Sequence, residues 1–105
     1  MQDKNSTYFS GTVIKIRSNI AGSSPVLTIT LKVISLVPDS KGKLYERTDY
    51  PSIVLWDELV TKMNLGDYIE VSARFQTRKY RHLNETRYVS EFVAITWNQS
   101  QKELA

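Results

Sequence analysis

The sequence contains no cysteine. Disulfides, thiolate zinc sites and cysteine nucleophiles are excluded together, and a reducing, intracellular setting is compatible with the chain. Histidine is nearly as scarce. His82 stands alone, so the imidazole clusters of zinc, copper and non-haem iron sites cannot form and no metal is expected. The four glycines, Gly11, Gly22, Gly42 and Gly66, lie far apart, and none belongs to a GxxxxGK(S/T) or GxGxxG pattern, which argues against nucleotide-dependent chemistry. The longest apolar runs, Ile53-Val54-Leu55-Trp56 and Phe92-Val93-Ala94-Ile95, fall far short of the ~20 residues that cross a bilayer. The start, Met1-Gln2-Asp3-Lys4-Asn5-Ser6, has no apolar stretch behind a charged opening and so does not read as a secretory signal. These absences lead to the expectation of a cytoplasmic protein without membrane contact or cofactor.

What is present is a single domain's worth of chain. The 105 residues suffice for one hydrophobic core but not two, and the expected ordered part is 8–97. Residues 8–17 read as a strand, with Gly11 at a point where a bulge or bend lets one strand serve two sheets. Residues 19–25, with Gly22-Ser23-Ser24-Pro25, read as a turn. From 26 to 36 the alternation is strict: Leu27, Ile29, Leu31 and Val33 point one way, Thr28, Thr30 and Lys32 the other. A polar loop over 38–43 leads to a third strand, 50–56. The acids Asp57 and Glu58, the late Lys62 and the following Gly66 predict a short helix over 57–63. Strands over 68–77 and 88–97 follow, joined by a polar, basic loop from 78 to 87, and residues 98–105 are expected to fray. Five strands with one short helix between the third and fourth is the element order of an all-β, five-stranded Greek-key barrel, the OB-fold. That fold commonly binds oligonucleotides or oligosaccharides across strands two and three, flanked by loops, although fold alone does not assign function.

The charge is unevenly placed. The whole chain carries +3, while residues 74–87 hold Arg74, Arg78, Lys79, Arg81 and Arg87 against Glu85 alone. Cations concentrated at one edge suit a polyanion whose counterions they displace, and equally suit a solvated hairpin without a partner. Tyr80 inside this run is either a platform on which bases stack or a ring folded back on the barrel. Tyr50 and Trp56 fall at even spacing on the third strand, sharing a side with Ser52 and Val54, and that side is either groove or core. Ile53 and Leu55 are the better core candidates, and Phe9 and Trp97 read as barrel filling.

The run Gln76-Thr77-Arg78-Lys79-Tyr80, followed by Arg87-Tyr88-Val89-Ser90-Glu91, resembles the strand four, loop and strand five signature of bacterial single-stranded DNA-binding proteins. Gly66-Asp67-Tyr68-Ile69-Glu70-Val71 and the stretch from Thr48 through Tyr50 and Trp56 to Leu59 are similar to that family as well, and Ser10-Gly11-Thr12-Val13 fits its first strand. The resemblance implies that Tyr50 and Tyr80 stack on bases, that Trp56 touches DNA, and that Arg78 and Lys79 meet the backbone. With Arg74, Arg81, Arg87, Tyr88 and Lys32 these make up the candidate nucleic-acid-binding set. It also implies a homo-oligomer, dimer or tetramer. Three departures stand out. The segment between Leu59 and Gly66 is about one turn shorter than in the family by the 3.6-residue helical repeat, Ser35-Leu36-Val37 lacks an aromatic, and the chain ends at Gln101-Lys102-Glu103-Leu104-Ala105 without a long linker or acidic tip. Recruitment of replication or recombination proteins through such a tail is therefore not expected. In outline the chain is similar to the primosomal replication protein B group.

Binding of single-stranded DNA with little sequence preference, in replication, recombination or repair, is the leading expectation. The alternative is a protein-interaction OB-fold whose basic loop docks a partner, with the rings as interface anchors. RNA binding is a third reading, which only contacts to the 2′-hydroxyl would favour. Catalysis is not expected: Asp57 and Glu58 are explained by a helix start, and the lone His82, set in a basic run, lacks an obvious orienting acid.

Overall fold

The computed structural model describes residues 2–21, 24–56, 59 and 63–100. They form six strands: β1 (Thr7–Ala21), β2 (Ser24–Pro38), β3 (Leu44–Asp49), β4 (Ser52–Trp56), β5 (Tyr68–His82) and β6 (Glu85–Gln99). The alternation seen in the sequence becomes the wall of a core. Leu27, Ile29 and Leu31 of β2, Ile53 and Leu55 of β4, and Ile69 and Val71 of β5 are buried together with Val13, Met63 and Ala94. Phe9, Ile16, Val33, Leu59, Phe92 and Trp97 pack around them, as expected for Phe9 and Trp97. Burying each large side chain contributes roughly 1.5–3 kcal/mol, so this cluster is the main source of stability. The Trp97 indole Nε1–H donates to the Leu59 carbonyl at 3.0 Å, tying the segment after β4 to β6.

One strand closes the barrel from both sides. β1 pairs with β5 from Thr7 to Thr12 and with β2 from Thr12 to Ala21. The handover falls at Gly11, where a Cβ would stand 2.6 Å from the Lys32 carbonyl oxygen, so only glycine lets the two backbones approach. A register shift between Val13 and Lys15 then re-aims the strand. Around the barrel the neighbours run β1, β2, β4, β6, β5 and back to β1, with β4 and β6 the parallel pair. β3 continues the line of β4 along the outer half of β2, so the two are pieces of one interrupted strand. This is the five-stranded Greek-key OB-fold barrel.

Several expectations need correction. β3 is a strand that no alternation predicted, because it pairs only with a part of β2 that extends beyond the core. Residues 78–87 are not a loop. They are the end of a two-stranded ribbon, with β5 and β6 paired out to His82 and Glu85 and turned by Leu83 and Asn84, both at positive φ. Of the turn expected over 19–25, Asn19, Ile20 and Ala21 pair instead with Val26, Pro25 and Ser24 as strand, and Gly22 and Ser23 lie outside the described residues. Asn98 and Gln99 are paired with Glu70 and Ile69, and the Ser100 N–H donates to the Tyr68 carbonyl at 2.8 Å, so the fraying expected there does not begin before residue 101. Of the helix expected over 57–63, only Leu59 and Met63 lie within the described residues.

Candidate nucleic-acid interface

Cross-strand partners in an antiparallel ladder share a face, and successive residues alternate. On the β5–β6 ribbon this sorts the candidates into two sets. Phe75 opposite Phe92, Thr77 opposite Ser90, Lys79 opposite Tyr88 and Arg81 opposite Thr86 continue the core side. Arg74 opposite Val93, Gln76 opposite Glu91, Arg78 opposite Val89 and Tyr80 opposite Arg87 continue the outer side. Tyr80 is 39 % exposed and Tyr88 68 %, so neither ring is folded into the barrel.

The outer set joins a wider surface. A row of paired residues crosses the barrel wall: Arg17 on β1, Thr28 on β2, Val54 on β4, Val93 on β6 and Arg74 on β5. Arg17 and Thr28 of that row line, with Lys15, Thr30 and Ser52, a hollow of about 110 Å³, with the Thr30 and Ser52 hydroxyl oxygens 3.4 Å apart. Lys32 continues the Thr28 and Thr30 side, and Trp56, 37 % exposed, stands at the far end of β4 opposite Val26. Lys15 and Arg17 were not among the sequence candidates. Their signal was available, since they flank Ile16 in the same alternation that put Thr28, Thr30 and Lys32 on one side.

Part of the basic surplus is already engaged. Glu91, with its side chain only 12 % exposed, accepts from Gln76 Nε2 at 2.8 Å and from Arg78 Nε at 2.9 Å on the same oxygen, Oε1. The pair fixes the Arg78 guanidinium while leaving its terminal amino groups without a partner among the described residues. Arg87 pairs with Glu85 at 3.3 Å. Among the described residues Arg74, Lys79 and Arg81 have no salt bridge.

Tyr50 departs from the expected arrangement. It does not share a side with Trp56, because it precedes β4 in the break formed with Pro51, where proline offers no N–H and the strand's alternation lapses. Only the Pro51 carbonyl takes part, accepting from the Leu31 N–H at 3.0 Å. The Tyr50 ring, 59 % exposed, lines a cleft of about 420 Å³ with Phe9, Val33, Asp49, Pro51 and Phe92. Phe9 and Phe92 meet edge to face there, centroids 5.2 Å apart. Asp49 holds the Arg47 guanidinium above its ordinary pKa, first through their hydrogen bond and then through charge. The candidates thus fall into a cleft side, with Tyr50, Lys79, Arg81 and Tyr88, and an outer side, with Lys32, Trp56, Arg74, Arg78, Tyr80 and Arg87.

No protein-family model matches the sequence, and no curated protein matches it in sequence. Solved structures do share its fold. A deletion variant of the single-stranded DNA-binding protein from Thermus aquaticus superposes with a TM-score of 0.77 at 16 % identity, over 93 % of this chain and 51 % of that one. This chain therefore spans about half the length of the Thermus protein. The single-stranded DNA-binding protein of Plasmodium falciparum, in complex with single-stranded DNA, gives 0.72 at 19 % identity over 96 % of this chain and 98 % of that one. A small single-stranded DNA-binding protein from Streptomyces coelicolor gives 0.66 at 16 %, covering 94 % and 96 %. The barrel is the OB-fold that these single-stranded DNA-binding proteins have.

Proposed function

We propose that the chain is a non-catalytic module that binds single-stranded DNA in the cytoplasm, with little sequence preference, in replication, recombination or repair. The observation that carries this reading is the outer sheet face. Lys15, Thr30 and Ser52 flank a paired row that runs from Arg17 and Thr28 to Arg74, and the same side runs out along the ribbon through Arg78 to Tyr80. Cations follow a phosphate chain and release its counterions, hydroxyls donate to its oxygens, and an exposed phenol offers a face to a base. The similarity in fold to three single-stranded DNA-binding proteins supports it. The module is proposed to act as a dimer or tetramer: among the described residues β3 pairs only with β2, leaving a backbone edge for a second copy.

The test is a titration with a dT oligomer of about 30 nucleotides, long enough for more than one OB-sized site, alongside the matching RNA and a duplex, each at low and high salt. Tryptophan quenching with tight, salt-sensitive binding to the single DNA strand is expected. Binding to none of the three would overturn the reading and direct attention to a protein partner of the basic ribbon.

A further inference from the structure

The cleft beside Tyr50 has a wall chemistry that the outer face lacks. Phe9, Val33, Pro51 and Phe92 make it apolar, Tyr50 supplies a ring, and one group, Asp49, can read an edge. Asp49 sits opposite Val33 at the end of β3, on the core side of the β2–β3 ribbon. Arg47 lies two residues earlier, and its Nε–H is shared by both Asp49 oxygens at 3.2 Å each. That pair has two effects. It fixes the plane of the carboxylate, and it offsets the negative charge that would otherwise repel a phosphate chain at the mouth. Each oxygen retains a further lone pair for a second donor.

We propose that this cleft is a single-base pocket that favours guanine, with Asp49 as the residue that sets the preference; the proposal rests on the single-strand reading above. Guanine presents two adjacent donors, N1–H and the N2 amine, matching the two oxygens of a carboxylate. Cytosine and adenine each offer an amine beside a ring nitrogen acceptor, which meets the second oxygen unfavourably. Thymine offers one N–H between two carbonyls, and both carbonyls face the carboxylate. The apolar walls and the Tyr50 ring accept any base face, so the pocket adds a bias at one position to a binding mode that is otherwise sequence-tolerant.

The experiment compares the full chain's affinity for a dT oligomer of about 15 nucleotides, one OB-sized site, with the same oligomer carrying one central dG, dC or deoxyinosine. A single dG avoids guanine quadruplexes. The dG oligomer is expected to bind about fivefold more tightly than dT alone, the low end of what a bidentate base contact provides, because the carboxylate is half exposed. Deoxyinosine, which lacks the N2 amine, is expected to lose most of that gain, and Asp49→Asn to abolish the dG preference. Equal affinity for the dT and dG oligomers, or a preference that survives Asp49→Asn, overturns the pocket and leaves the single-strand reading standing. Binding to none of the oligomers overturns both.

Discussion

Lys79 and Tyr80 are neighbours in sequence but lie on opposite faces of the β5–β6 ribbon, Lys79 opposite Tyr88 and Tyr80 opposite Arg87. A nucleic-acid strand that meets both has to pass around the ribbon instead of lying along one side. The cleft and the outer sheet are then successive stretches of one path.

Substituting the two tyrosines tests that path. With dT oligomers, Tyr80→Ala and Tyr88→Ala are each expected to raise Kd about 5- to 150-fold at both low and high salt, the ~1–3 kcal/mol of a stacked base. Lys79→Ala is expected to reduce the slope of log affinity against log salt by about 0.7, one phosphate's share on a single strand. If Tyr88→Ala binds like the parent chain, the path stays on the outer face.

Glu91 orders the ribbon through Gln76 and Arg78, and it is expected to restrain binding as it does so. Glu91→Gln removes the charge that Arg78 now pairs with at 2.9 Å and leaves a full cation on the outer side. Tighter binding to dT and a steeper salt slope are expected, with folding stability lower by roughly 1 kcal/mol from the lost charge-assisted bond. Anisotropy titrations and urea melts read the two effects, and unchanged salt dependence would contradict the first.

The ribbon's turn is strained by its leading residue. Leu83 has φ 50° and Asn84 φ 64°, the primed geometry that asparagine followed by glycine adopts most readily. Replacing the pair, Leu83→Asn with Asn84→Gly, is expected to stabilise the hairpin by about 1 kcal/mol. The amides of Tyr80 and Arg87 would then exchange with solvent more slowly by NMR, and faster exchange would contradict this.

Gly11→Ala is expected to be costly. The added methyl meets the Lys32 backbone carbonyl at 2.6 Å, which no side-chain rotation relieves. A loss of about 1–3 kcal/mol is expected, lowering Tm by roughly 5–20 °C in a domain of this size. A thermal melt within a degree or two of the parent would show that β1 and β2 separate freely there.

The barrel was legible in the sequence because its strands have a buried face to write into the pattern. Leu27, Ile29 and Leu31 alternate with Thr28 and Thr30 because one set fills the core and the other meets water. Gly11 was legible because only a glycine suits a strand changing partners. β3 and the outer ribbon were not. Leu44–Asp49 and residues 78–87 pair through backbone hydrogen bonds with both faces near solvent, so nothing forces an apolar alternation, and Leu83-Asn84 lacks the glycine that usually signals a tight hairpin. Reading 78–87 as a loop gathered Lys79 and Tyr80 into one patch, and continuing β4's alternation back through Pro51 put Tyr50 beside Trp56. Both errors are of facing, and facing follows from strand pairing that composition does not record.

The barrel closes through β4 and β6 on two registered pairs, Ile53 with Phe92 and Val54 with Val93, whereas β5 and β6 are paired from Ile69 to His82 with a single register shift. Every other junction in the barrel joins strands over a longer antiparallel ladder. The molecule therefore has a seam: a fluctuation that parts β4 from β6 opens the wall between the Arg17 end and the Arg74 end of the outer row while both hairpins stay zipped. A strand lying across that row bridges the seam, so its arrival would slow exchange of the Val54 and Val93 amides more than that of amides within either hairpin.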